Sequence, residues 1–356
     1  MRDPDTLSQW LLHNASAPIR HRVIIDILRG GLENPDVENA RREMLAFPIA
    51  RKIASQQLKD GSWGQAIYWI AAPKTTKIKR PYGSTLYRLG RLIEYGWDQR
   101  QNAVHKCAKS VLIPLLHPEN NNLWELQFYM RRHPDLLPFL RRLLRDIALR
   151  LLCPAGYSNH KDVKDATIRG LSEIGAFLNH LRDNPLYTEA RGKTVMAGEM
   201  IFPTRHFMMA LAHTQWVHEV PQFRALLQMY YDFVGENSPL LDYYLLTQTG
   251  TVRHGHEAAF LPKDHYLSHP SSLLQELETL ARLGVVDRTQ QGQWLLDELL
   301  AHQDGDGRFR LKDPRHNPPF DYYMLEPKVR GRNIDPYTID TTFRATLILH
   351  HLNYLV

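Results

Sequence analysis

Gln57-Leu58-Lys59-Asp60-Gly61-Ser62-Trp63 returns near the other end of the chain as Gln303-Asp304-Gly305-Asp306-Gly307-Arg308-Phe309. Both stretches read Q-x-x-D-G-x-aromatic. Each follows a run with apolar residues at helical spacing. Each precedes a second such run that opens with small or hydroxyl residues, Gly83-Ser84-Thr85-Leu86-Tyr87 and Asp340-Thr341-Thr342-Phe343-Arg344. From motif aspartate to second hydroxyl is 25 residues in the first copy (Asp60 to Thr85) and 36 in the second (Asp306 to Thr342), so the copies differ mainly by a loop insertion. Glycine after aspartate permits a left-handed turn at a helix end. The aspartate can accept from backbone amides in that turn. The glutamine can bridge to the start of a neighbouring helix, and the aromatic ring can cover the turn. The motif therefore reads as a structural staple on a repeated helical hairpin.

Outward from the motif, three- and four-residue apolar spacing predicts helices over 19–32, 40–58, 85–95, 102–116, 136–152, 162–180, 207–217, 221–233, 271–283, 291–302 and 341–352. Convincing alternating strands are absent. Ser271-Ser272 and Asp340-Thr341 read as helix starts, with Asp340 an N-cap; Gly96 and Gly284 read as stops. Eleven helices joined by loops imply hairpins packed in an array or a ring.

Composition narrows the function classes. The 356 residues are 43% hydrophobic and 23% charged, as in a folded protein with a large core. Two cysteines, Cys107 and Cys153, cannot build a disulfide framework or a four-cysteine zinc site, and both are expected as buried thiols. The early acids and the lack of a long apolar run in the first residues argue against a signal peptide, and a cytoplasmic location is expected. The net charge of +6 is a mild basic excess without a single motif, so no nucleic-acid partner is expected. Basic residues concentrate at 74–80 and at Arg141, Arg142, Arg145 and Arg150. These read as a solvated loop and a solvated helix face, or as contacts to an anionic ligand or a peripheral membrane surface.

The two Q-x-x-D-G-x-aromatic copies, each leading into an inner-type helix opening with Ser or Thr, resemble the QW-type repeat of the terpenoid cyclase and protein prenyltransferase superfamily. The similarity extends to Ile19-Arg20-His21-Arg22-Val23 and Ala50-Arg51-Lys52-Ile53. The resemblance implies an all-α fold, an α/α toroid of about six helical hairpins in one domain (46–356) with a helical extension over 1–45. It implies a hydrophobic or isoprenoid ligand in a central cavity, and, for an enzyme, an acid-initiated cyclase of the isomerase or lyase kind. The chain departs from the family chemistry. D-x-D-D is absent; Thr338-Ile339-Asp340-Thr341-Thr342 keeps one aspartate, so Asp340 is the candidate acid. No D-D-x-x-D cluster, no zinc-ligand pattern beside either cysteine and no G-C-G-E-Q occurs, so neither a metal nor another cofactor is expected. Trp124, Trp216, Tyr230 and Tyr231 are candidate aromatic lining for such a cavity.

A rival class rests on other residues. His254, His256, His265 and His269 are the densest group of imidazoles, and Tyr323 follows Tyr322 in the long insertion with Glu326, Arg330 and Arg332. With His254, His256 and Tyr323 as acid–base groups and Arg330 and Arg332 holding an anion, these suit a carbohydrate-active lyase or hydrolase on the same toroid. His206 and His213 lie seven apart and share a helix face. A non-enzymatic binding scaffold is the third expectation.

Overall fold

The computed structural model describes residues 4–28, 35–64, 85–120, 137–190, 192–196, 203–236, 243–246, 252–255, 263–311, 325–327 and 333–353. The fold class is all-α. In chain order the helices are α1 (Pro4–Asn14), α2 (Ala17–Arg22), α3 (Pro35–Leu45), α4 (Pro48–Ser55), α5 (Thr85–Glu94), α6 (Asn102–Cys107), α7 (Ile113–Leu115), α8 (Leu137–Leu152), α9 (Lys161–Asp183), α10 (Arg205–Leu211), α11 (Gln215–Glu219), α12 (Pro221–Glu236), α13 (Lys263–Ser268), α14 (Pro270–Leu283), α15 (Gln290–Ala301) and α16 (Pro336–His351). Wide π-type turns at Val23–Ile27, Ala108–Leu112 and Cys153–Tyr157 continue α2, α6 and α8.

The sequence-predicted helices match most of these, with three corrections that share a cause. Proline is preorganised for the first helical position. Pro48 accordingly splits the run at 40–58 into α3 and α4. Pro270 starts α14 with His269 at the N-cap, one residue before the expected Ser271. Pro336 starts α16 with Asp335 at the N-cap, so Asp340 lies inside the helix and caps nothing. The run at 207–217 also breaks, at Thr214, between α10 and α11. Gly96 and Gly284 take positive φ, +91° and +68°, as expected of stops.

Four short strands form one sheet in the order β1 (Tyr187–Ala190), β2 (Lys193–Met196), β3 (Tyr243–Leu246), β4 (Val252–Gly255). β1–β2 and β3–β4 are antiparallel pairs, and β2 lies parallel to β3 through Val195 and Tyr244. The periodicity reading had not anticipated these pairs.

One hydrophobic core runs from Leu11 to Leu349. α14 and α16 are buried nearly all round: in α14 only Arg282 escapes, and in α16 every residue from Thr338 to Leu349 is buried. A helix without a wet face must be enclosed by other helices. α5 packs on α8, α8 on α10, α10 on α14, α14 on α16, and α16 on the 23–27 turn after α2. Glu94 at the end of α5 then meets Arg22 (3.6 Å) and Arg344 of α16 (3.2 Å). Outside this succession, α4 packs on α5, α9 on α8, α15 on α14 and α1 on α16. The N-terminal helices thus share the core of the repeats.

The two motifs fold alike. In each, the glutamine Nε2 donates to the carbonyl four residues on, Gln57 to Gly61 (2.9 Å) and Gln303 to Gly307 (3.1 Å). Gly61 and Gly307 adopt φ of +87° and +82°. The aromatic residue's amide then donates to the hydroxyl of the next helix, Trp63 to Thr85 (3.0 Å) and Phe309 to Thr342 (3.1 Å). Gln57 also reaches Ala103 O at the start of α6 (2.8 Å). The copies differ at the acid. Asp60 accepts from the Ser62 amide, whereas in the second copy Asp304, two places earlier, accepts from the amides of Asp306 and Arg308.

Candidate functional site

A cavity of about 320 Å³ lies among α2 with its following turn, α3, α5, α8, α10 and α14. Its polar wall carries five arginines (Arg22, Arg41, Arg100, Arg150, Arg282) and four carboxylates (Asp26, Glu94, Asp98, Glu278). Three histidines join them, His21, His206 and His213, with Gln275, Thr279 and the Trp97 indole. Ile25, Leu86, Ile93, Ile147, Leu151 and Met209 supply apolar surface between these groups.

Four of these charges are fixed by helix spacing. Arg22 and Asp26 pair at 2.9 Å, and Glu278 and Arg282 at 2.8 Å, each four residues apart on one helical face. Burial alone would raise the Glu278 pKa, but Arg282, Arg22 and His213 outweigh it and hold the carboxyl at about 2. The imidazoles go the other way. His206 and His213 are held well below the usual histidine range, first by burial and then by Arg150 and Arg282 respectively. Burial also lowers His21. At neutral pH all three rings are uncharged. Arg150 Nη1 lies 3.1 Å from His206 Nδ1. A guanidinium can only donate, so Nδ1 is the accepting nitrogen and the ring proton sits on Nε2.

Three buried uncharged groups on this wall have no hydrogen-bond partner among the described residues: His21 Nδ1, Trp97 Nε1 and Gln275 Oε1. An unsatisfied buried polar atom costs about 1–3 kcal/mol, so such atoms on a cavity wall mark a place made for polar contacts.

The residues named from sequence distribute unevenly. Asp340 is buried in α16. Its Oδ1 accepts from the Leu325 amide (3.0 Å) and its Oδ2 from Arg344 Nε (3.3 Å). It is not among the residues lining the cavity. Tyr230 and Tyr231 are core side chains of α12, ring to ring at 5.2 Å. Trp216 donates to Ser158 O (3.1 Å) and carries Lys164 over its ring. None of the three lines the cavity. His254 is a β4 position opposite Tyr244. Its side chain, and Trp124, His256, Tyr323, Arg330 and Arg332, lie outside the described residues. His265 and His269 stack at 4.3 Å. Among the described residues no group of three His, Cys, Asp or Glu side chains could hold a metal. Both cysteines are buried thiols, pushed up to about 12 by burial. Arg145 corrects the solvated-face reading of α8: it is buried between Asp146 and Glu173. Among the described residues, the His206/His213 pair is the one histidine group read from sequence that reaches the cavity.

Most of the cavity was missed. The available signal was an opposite-charge pair four apart within one helix, as in Glu278-x-x-x-Arg282. In a helix buried all round, such pairs face inward. No helix among the described residues is long and apolar enough to cross a membrane. No family model, no curated protein and no solved structure matches the chain.

Proposed function

We propose that the chain is an α/α toroid holding a small hydroxylated anion of the uronate type in the cavity, as a carbohydrate-active lyase. The observation that carries this reading is the wall itself. Trp97 N–H can only donate, Gln275 Oε1 can only accept, and His21 Nδ1 can do either, while five arginines surround them. Hydroxyl groups, which both donate and accept, match that set; a carboxylate matches the guanidiniums. The volume suits one or two sugar rings rather than a polymer.

In the corresponding elimination, an arginine neutralises the carboxylate and so acidifies the neighbouring carbon. A base takes that carbon's proton, the electrons form a carbon–carbon double bond, and the bond to the leaving oxygen breaks. His21 is the base in this reading, being uncharged with a free ring nitrogen. His206 is the donor, through Nε2–H, held by Arg150.

The isoprenoid cyclase reading draws support from the paired staples, which speak to fold rather than chemistry. Its acid, Asp340, would have to act while its carboxylate is held by Arg344 and the Leu325 amide. The full-length protein should be incubated with uronate oligosaccharides, squalene and prenyl diphosphates. An unsaturated uronate product, absorbing near the ultraviolet edge, is expected, and His21→Ala should lower its rate by roughly 10²–10⁴. Isoprenoid turnover without uronate turnover would overturn the lyase reading.

A further inference from the structure

The five arginines of the cavity wall are not equally engaged. Arg22 is held by Asp26 and Glu94, Arg282 by Glu278, and Arg100 by both oxygens of Asp98 through Nε at 3.0 and 2.9 Å. Arg150 is bonded to His206. Arg41, on α3, is the exception. Its Nε is buried with no acceptor, and its ion-pair partner among the described residues, Glu38, is exposed and 4.0 Å away. The helix turns this guanidinium toward the candidate base. Met44 lies about one turn on from Arg41 and shares its face. A methyl group placed on Gly96 would meet Met44 Cε at 3.6 Å and His21 Nδ1 at 3.1 Å, so that face of α3 lies against the imidazole. His21 feels the charge as well: burial does most to lower its pKa, and Arg22, Arg41 and Arg100 add to that against the pull of Asp26. Among the described lining residues five guanidiniums stand against four carboxylates, with the three histidines uncharged, which leaves one positive charge for a ligand.

We propose that Arg41 takes the ligand's carboxylate and that the cavity selects sugar acids carrying a single negative charge. Given the hydroxylated anion proposed for this cavity, Arg41 is the guanidinium with donors to spare for the two-pronged grip that a carboxylate favours. The other four would first have to release a carboxylate or an imidazole. A carboxylate on Arg41 also lies beside His21, where the proton of the neighbouring carbon can pass to the imidazole. A second negative charge would meet guanidiniums already answered and the carboxylates that answer them, so a diacid gains nothing over a monoacid. An uncharged sugar would leave Arg41 desolvated without a partner.

The test is calorimetric titration of the full-length protein with methyl glucuronide, methyl glucoside and glucarate at neutral pH and matched ionic strength. These probes lack the leaving sugar and so bind without turnover. The glucuronide should bind about tenfold tighter than the glucoside or better, and glucarate no tighter than the glucuronide. Arg41→Gln should erase the preference for the glucuronide while the thermal midpoint without ligand stays within a few degrees. Arg41→Lys, which keeps the charge and loses the fork, should retain part of it. Arg42→Gln, at the next residue of α3, which is exposed and bonded to Asn39, should leave the preference intact. A preference that survives in Arg41→Gln, or falls equally in Arg42→Gln, would overturn the role of Arg41 and leave the uronate reading standing. Glucarate binding about tenfold tighter than the glucuronide would overturn the selection for a single charge. No preference for glucuronide over glucoside in the unaltered protein would sink the uronate reading itself, and the assignment of Arg41 with it.

Discussion

Trp63 and Phe309 each hand a backbone amide to a threonine hydroxyl on the following helix. Thr85 and Thr342 are both fully buried, so neither amide can turn to water instead. Thr85→Val and Thr342→Val should therefore each destabilise the protein by about 1–3 kcal/mol in urea unfolding. Similar losses at two sites so distant in sequence would follow from equivalent roles; a loss at one site alone would not. Gly61→Ala should also cost stability, roughly 1–2 kcal/mol for the left-handed backbone. The added methyl would also sit 2.9 Å from Lys106 O. At this scale the sequence was legible because the turn is local: the glutamine-to-glycine bond closes within seven residues, and the threonine that meets the aromatic's amide opens the next helical run. The aspartate was only half legible. Asp60 plays the expected part, but Asp304 has taken it over in the second copy, since a turn of this size offers its amides to either acid.

Between elements, Arg344 is the fullest statement of what holds the helices in place. It is fully buried in α16, pairs with Asp340 on its own helix, and reaches Glu94 on α5. Arg344→Met would leave the buried Asp340 without its cation and Glu94 with Arg22 at 3.6 Å. A loss of about 3–5 kcal/mol in chemical unfolding is expected, well above a surface pair's worth. Arg344→Met with Asp340→Asn should recover part of that loss, and a strictly additive double variant would argue against the coupling. Helix positions were readable from apolar spacing, and their starts were misread wherever proline opened the helix a residue or more early. The pairing of helices was not readable, because Arg22, Glu94 and Arg344 come from three distant segments that only packing brings together. The cavity was missed for the same reason. His206 on α10 and His213 just after it showed as a shared face, whereas His21 and Trp97 carry no local pattern.

Across the whole molecule, buried ionisable groups predict how the fold responds to acid. His351 falls to about 4, through burial and then Arg282, from an ordinary value of 6.5, and His21, His206 and His213 are lowered as well. Groups with depressed folded pKa values stabilise the fold above their unfolded values and lose that contribution as pH falls. The histidines' share is therefore full above pH 6.5 and lost progressively toward about 4. Glu278, held at about 2 against an ordinary 4.5, adds a second loss below pH 4.5, on the order of 3 kcal/mol. Thermal midpoints should fall between pH 6.5 and 4.5 and fall further below it. A flat profile across the first window would contradict the buried neutral histidines.

One contact sets the order in which such a chain can be made. The Ser16 amide donates to Glu326 Oε2 at 2.7 Å, across 310 residues, and α1 lies against α16. α1 packs early on α2 and the turn after it, but its contact with α16 forms only after α16 has been synthesised. Until then the surface of α1 that meets α16 remains available to chaperones and to other nascent chains. The folding rate should be governed by the closure of α1 onto α16 rather than by formation of the separate helices.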